Sequence, residues 1–302
     1  MVQVLSRHGA RYPTASKTVS YNRTIQKIKS KVNRFSGECA FLKDYEYTLG
    51  ADQLTLFGQQ EMVNSGIKFY RRYRSLAKHL DPFVRASSEV RVVESAQNFT
   101  QGYHQVKRAD LAASIEGSGP LNILVISEAD GSNNTLNHGL CSAFEDDAPF
   151  DETASDAQST WLSIFIPPIT ARLNKNLAGA NLSSSETISM MDLCPFNTVA
   201  SAAGAVSPFC HLFSQREWRQ YDYYQSLGKY YGYSFGNALG PSQGVGFTNE
   251  LIARLTDSPV VDSTSSNHTL DSRNVTFPLS RGPSLYADFS HDNDMTAIFS
   301  AL

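Results

Sequence analysis

Four short apolar runs stand far apart along the chain: Val2-Gln3-Val4-Leu5-Ser6, Pro82-Phe83-Val84-Arg85-Ala86-Ser87, Asn122-Ile123-Leu124-Val125-Ile126-Ser127 and Leu285-Tyr286-Ala287-Asp288-Phe289-Ser290. Their length and their β-branched and aromatic content predict buried strands. Between them the apolar spacing changes to that of helices. Ile25, Ile28, Val32 and Phe35 predict a helix over 20–35, and Met62, Gly66, Phe69, Tyr73 and Leu76 predict one over 57–76. Val92, Ala96, Phe99, Tyr103 and Val106 predict a third helix from about Glu89. Strand, loop and helix in repetition point to an α/β fold with a mostly parallel central sheet and flanking helices.

From Glu128 the pattern changes. Residues 128–156 are rich in Gly, Ser, Asn and acids, Trp161 to Leu177 reads as a helix interrupted at Pro167-Pro168, and an aromatic helical segment carries Trp218, Tyr221, Tyr224 and Tyr230. No strand intervenes. This predicts a smaller α-helical domain, 129–240, inserted into a split α/β core made of 1–128 and 241–302. A helix over Val245 to Leu255 resumes the core, with Ser242 as its cap. Gly240-Pro241-Ser242-Gln243-Gly244 matches the nucleophile elbow of serine hydrolases, but that elbow follows a strand, and Tyr233 to Asn237 is turn-like.

Chemistry gathers where strands end. The first strand runs into Arg7-His8-Gly9-Ala10-Arg11-Tyr12-Pro13, and the last into His291-Asp292-Asn293-Asp294. Two strand exits nearly a chain length apart are what a parallel sheet needs to build one site. Arg7 and Arg11 present planar donor forks suited to a phosphate, and Gly9 allows close approach of backbone to an oxyanion. His8 between two cations is biased to its neutral, nucleophilic form. The plainer reading makes His8 a core histidine with the arginines in ion pairs. At the final exit, Asn293 or Asp294 serves as a helix cap, which leaves His291 and Asp292 unexplained. Arg85 and Arg91 flank the second strand exit, and either is able to complete a phosphate cage. The helix over 20–35 carries Arg23, Lys27, Lys29, Lys31 and Arg34 on its polar side, with no acid between Tyr12 and Gly37. Such a run is a solvated face or an attraction for a polyanion.

Composition narrows the class. A net charge of −3 excludes the basic footprint of a nucleic-acid binder, and no apolar run reaches the length of a membrane span. No metal motif of the His-Glu-x-x-His or EF-hand kind is present, and no cofactor is implied. Sequons at Asn22, Asn98, Asn133, Asn181, Asn267 and Asn274 point to a glycosylated, secreted protein. Cys194 and Cys210 bracket a short loop and are placed to form a disulfide, stabilising by about 3 kcal/mol through loop closure. Cys39 and Cys141 have no evident local partners; they pair with each other or with residues outside this chain. The expectation is a fragment of a longer secreted precursor, without its signal peptide.

Arg7 to Pro13, read as Arg-His-Gly-x-Arg-x-Pro, resembles the signature of the histidine acid phosphatases, and Val4-Leu5-Ser6 with Tyr12-Pro13-Thr14 is similar to the fungal phytases among them. Similarity continues through Leu49-Gly50-Ala51-Asp52, Val63 to Lys68, Ile126 to Ala129, Ser207 to Cys210 and Asn249 to Leu255. The resemblance implies a phosphohistidine on His8, a phosphate held by Arg7, Arg11, Arg91 and His291, and Asp292 as proton donor. It selects Arg91 over Arg85, because the third arginine of that family lies where the helix begins. Lys43 resembles a substrate-pocket lysine, whereas Gly228-Lys229 has one lysine where some relatives carry two. Asp294 replaces a glycine or small residue, and its carboxylate is expected to raise neighbouring carboxyl pKa values or repel substrate. The implied substrate is phytate, myo-inositol hexakisphosphate, cleaved without metal or cofactor. The alternatives are a broad acid phosphatase and a catalytically silent polyanion-binding glycoprotein.

Overall fold

All four strand runs join one parallel sheet in the computed structural model, which describes residues 1–114, 121–146, 148–264, 277–279 and 284–302. In chain order the elements are β1 (Val2–Arg7), α1 (Ala15–Lys31), α2 (Leu56–Arg72), α3 (Arg74–Ala77), β2 (Phe83–Ser87), α4 (Val90–Ala109) and β3 (Ile123–Ile126). There follow α5 (Ser142–Glu145), α6 (Ala148–Asn176), α7 (Ser184–Ala200), α8 (Gln215–Tyr233), α9 (Gly240–Thr256), β4 (Leu285–Ser290) and α10 (Asp292–Ala301). The 3-10 helices Gly37–Lys43 and Pro208–Leu212 complete the set of described helices.

The framework divides into two compact units. The first comprises Met1–Gly9, Gly58–Ala154 and Lys229–Leu302, and the second Ala10–Phe57 and Ser155–Gly228. These divisions do not fall at the expected insertion boundaries, 129 and 240. Ala10–Phe57 groups with the helical stretch because the apolar faces of α1 and the following 3-10 helix pack with α6 and α7 rather than on the sheet.

In the first unit the sheet order is β1-β4-β2-β3, with Arg7 opposite Ser290 and Ala86 opposite Phe289 at the carboxyl ends. Side chains alternate across the pleat. Leu285, Ala287 and Phe289 of β4, with Val84 and Ala86 of β2, pack against Met62 and Phe69 of α2 and Val92, Ala96, Phe99 and Tyr103 of α4. On the opposite face Leu5 and Ile126 meet Phe247 and Ile298 from α9 and α10. That face also holds charge: Arg85 is fully buried and bonded to Asp288 and Glu250, and Arg254 reaches Asp288 at 2.7 Å. Arg85 is therefore an interior ion-pair partner. The predicted helix over 57–76 is broken at Tyr73, where α2 gives way to α3.

The second unit buries Tyr21, Ile25 and Ile28 of α1 with Phe165, Ile166, Ile169 and Leu173 of α6 and Met190, Met191 and Leu193 of α7. α1 starts earlier and ends earlier than the apolar spacing predicts. Val32 is extended, and Phe35 pairs across an isolated bridge with Leu177. Pro167 and Pro168 do not interrupt α6. Its buried stripe of Phe165, Ile166, Ile169 and Leu173 holds the helix together despite the missing N–H groups. Buried Asp192 accepts hydrogen bonds from Tyr21 and Tyr221, and Lys27 pairs with Glu186 at 2.7 Å, so part of the cationic face of α1 is neutralised. The Cys194–Cys210 disulfide ties α7 to the 3-10 helix Pro208–Leu212. Cys39 is buried and Cys141 half-buried, and neither carries a disulfide.

α9 begins at Gly240, five residues before the predicted start, so Ser242 lies inside its first turn and donates to Leu239 O instead of capping the helix. The residues between α8 and α9 form turns, as the sequence predicts, so the strand that a nucleophile elbow requires does not precede Ser242. α10 likewise starts at Asp292 with His291 at its cap position, so neither Asn293 nor Asp294 caps it.

Candidate active site

Parallel pairing brings the carboxyl ends of β1, β4 and β2 side by side, and the loops that leave them carry the charged groups. The His8 backbone N–H donates to Ser290 O at 3.0 Å, so the histidine is the last rung of the β1–β4 ladder. Its side chain is buried, and Nδ1 lies 2.8 Å from Gly9 O. With Nδ1–H donating to that carbonyl, Nε2 carries the free lone pair. The pKa of His8 is lowered to about 3, chiefly by burial, against the pull of the Gly9 carbonyl and with help from Arg7, Arg91 and His291. The neutral state expected from two flanking cations is thus produced first by desolvation. Gly9 also has a packing role: a Cβ there would sit 2.4 Å from Gly58 O, so the residue admits α2. Its N–H donates to Ser95 Oγ, which binds Arg91 O and ties the loop to α4.

The His8 and His291 rings lie 5.5 Å apart, edge to face. His291 Nε2 is 3.3 Å from Glu89 and 3.4 Å from Glu128. Arg91, in the first turn of α4, contacts Glu89 through Nη1, while its buried Nε has no hydrogen-bond partner. Asp292 opens α10, with Arg7 Nε 3.5 Å and Lys229 Nζ 2.5 Å from its carboxylate. Burial raises the Asp292 pKa, but Arg7 and Lys229 outweigh it and bring it down to about 2. Asp294 does not have the expected effect on its neighbour. It points away and is buried, accepting from His138 N at 2.7 Å and Ser290 Oγ at 3.3 Å, and burial raises its own pKa.

Arg7, His8, Arg91, His291 and Asp292 therefore meet in the first unit. Arg11 and Lys43 belong to the second unit, where the Arg11 guanidinium donates to Tyr12 O at 2.8 Å and Lys43 is exposed at the end of its 3-10 helix. Sequence reasoning passed over Glu89 and Glu128, although both stand at strand exits beside residues it chose. Ligand atoms of Glu89, Glu128 and His291 lie within 4.8 Å of one another, yet the Arg91 guanidinium beside Glu89 disfavours a cation there. Among the sequons, Asn22 and Asn181 are exposed and Asn98 and Asn133 half-buried; Asn267 and Asn274 lie outside the described residues. Among the described residues no helix is long and apolar enough to cross a membrane.

Known proteins resemble this chain over nearly its whole length. Phytase A of Aspergillus oryzae is 52% identical over 302 residues, covering 99% of this chain and 64% of the relative. Phytase A of Neurospora crassa is 49% identical over 322 residues, covering 99% and 62%. This chain thus spans less than two thirds of the length of these relatives. Among solved structures, the phytase from D. castellii superposes with a TM-score of 0.73 at 21% identity, over 99% of this chain and 60% of that one, which establishes the fold. A Bifidobacterium longum multiple inositol polyphosphate phosphatase, solved in complex with inositol hexasulfate, follows at 0.59 and 13% identity, over 98% and 73%. The family profile described as histidine phosphatase superfamily (branch 2) matches residues 1–302, and the chain belongs to that family.

Proposed function

We propose that the protein hydrolyses phosphomonoesters, with phytate as its substrate, through a phosphohistidine on His8. The observation that carries this reading is a buried neutral histidine with a free Nε2, set among Arg7, Arg91 and His291, with the Asp292 carboxylate against Arg7. Nε2 attacks phosphorus, the bond to the ester oxygen breaks, and Asp292 gives its proton to that oxygen. Water then attacks the phosphohistidine while Asp292 takes a proton, and inorganic phosphate leaves. Arg7, Arg91 and His291 hold the phosphate oxygens, and it is the family resemblance that adds Arg11 to them and Lys43 as a contact to an outer phosphate.

In the free protein Asp292 is ionised because Arg7 and Lys229 face it. A bound phosphate draws on the same cations, so the carboxyl regains its proton affinity when a donor is needed. Phytate as substrate is supported by the phytase relatives and by the structural relative solved with inositol hexasulfate. Secretion and glycosylation, with Asn22 and Asn181 as the most accessible acceptors among the described residues, are part of the same proposal.

The test is phosphate release from phytate and from p-nitrophenyl phosphate at acidic pH by the chain and by His8→Ala. Release lost in the variant supports the reading, and a higher kcat/KM for phytate supports the substrate. Equal release by both proteins removes His8 from the mechanism. Phytate retained but never cleaved by either protein favours the binding glycoprotein.

A further inference from the structure

The Glu89 carboxylate contacts both Arg91 and His291, two of the groups assigned to phosphate. It stands at the cap position of α4, and its side chain caps nothing: the first-turn N–H of Val92 goes to the Glu89 backbone carbonyl. Its own N–H donates to Glu128 Oε1 at 3.0 Å, which fixes the main chain. The carboxylate then reaches Arg91 Nη1 and comes within 3.3 Å of His291 Nε2. Glu128, the other acid against His291, is anchored differently. Its carboxylate accepts the Glu89 N–H, its backbone N–H donates to Ser88 Oγ, and it is the more buried, at 23% side-chain exposure against 39% for Glu89. Glu128 is a fixed support for the His291 ring, whereas among the described residues the Glu89 carboxylate is held by Arg91 and His291. Arg91 retains a buried Nε with no hydrogen-bond partner, so its guanidinium is left part-filled by Glu89.

We infer that Glu89 is an internal competitor for the phosphate site, its carboxylate standing where a substrate phosphate oxygen would bind Arg91 and His291. This rests on the assignment of those two residues to phosphate. A monoester must displace the carboxylate and then tolerate its charge nearby. A small monoester has only its one phosphate to do so, while a polyphosphorylated substrate makes further contacts. Glu89 is thereby a specificity-determining residue that weighs against small phosphomonoesters.

The experiment titrates inorganic phosphate calorimetrically into the full chain, Glu89→Gln, Glu89→Ser and Glu89→Asp at one pH, with circular dichroism to verify folding. Removing a half-exposed carboxylate from Arg91 and His291 should tighten phosphate binding on the order of five-fold in the Gln and Ser variants and leave Asp near the parent. KM for p-nitrophenyl phosphate should fall by a similar factor and that for phytate by less, with kcat moving less than KM. Unchanged or weaker phosphate binding in both Gln and Ser overturns the inference and makes Glu89 a positioning residue for Arg91. Absence of phosphate binding in every protein removes the site and the inference together. Because the titration reads binding, activity surviving in His8→Ala would overturn the phosphohistidine and leave this result standing.

Discussion

Asp288 offers the sharpest test of how the sheet is held. Its carboxylate, fully buried in the middle of β4, accepts from Arg85 Nε at 2.8 Å, Arg85 Nη2 at 3.2 Å, Arg254 Nη1 at 2.7 Å and Gln3 Nε2 at 2.9 Å. Glu250 takes the rest of Arg85, at 3.1 and 2.7 Å, and the Thr135 hydroxyl at 2.8 Å. Two cations and two anions thus balance where water does not reach. Asp288→Asn preserves shape but leaves one buried positive charge and turns amide donors toward guanidinium donors. Such a loss costs about 3–5 kcal/mol, a large share of the roughly 5–15 kcal/mol that holds a typical domain. Lys27→Met, which breaks the part-exposed pair with Glu186, should cost about 1 kcal/mol or less.

Burial opposes ionisation of Asp288, but Arg254 and Arg85 outweigh it and hold the carboxyl below its usual range. A depressed carboxyl stabilises above its unfolded pKa of about 4 and loses that contribution as pH falls through the folded value. The penalty should therefore be complete at pH 7 and at pH 5. Both tryptophans, Trp161 and Trp218, lie in the second unit, so urea unfolding is best followed by far-UV circular dichroism. The double variant Asp288→Asn/Arg85→Met should recover part of the loss, because Glu250 and Arg254 then balance. A cost below about 1 kcal/mol for the single variant, with no recovery in the double, would refute the claim that charge balance governs this interior.

Two further outcomes follow from the site. Gly9→Ala drives a methyl group to 2.4 Å from Gly58 O and should destabilise the protein by about 1–3 kcal/mol, seen as a lower urea midpoint; an unchanged midpoint contradicts the tight approach of α2. His8, with its pKa lowered to about 3, binds fewer protons when folded than when unfolded between that value and 6.5, so it costs stability increasingly as pH falls across that window. The Tm of His8→Ala relative to the parent should rise from pH 7 to pH 4, and a flat difference means that the imidazole is not buried as a neutral base.

Much was legible in the chain because it depended on local spacing. The four strands, the helix after β2 and the charged strand exits follow from periodicity and from where polar residues interrupt apolar runs. Helix ends were legible less well, since tertiary contacts set them. Phe35 left the helical pattern to pair with Leu177, and α6 ran through Pro167 and Pro168 because its apolar stripe is buried. Arg85 shows the limit most clearly. A charged residue in a strand looked like a candidate ligand until α9 supplied Glu250 from 165 residues away.

By itself the sequence determined the α/β class, the family motif Arg7 to Pro13, the paired His291-Asp292 and the Cys194–Cys210 bridge, all carried by residues near one another in the chain. Only the tertiary structure decided which strand lies beside which, that His8 is neutral by burial before charge, that Asp294 turns inward, and that Glu89 leans on Arg91 and His291. Each of these depends on groups brought together from distant segments, and neither desolvation nor a contact across a sheet leaves a mark on local spacing.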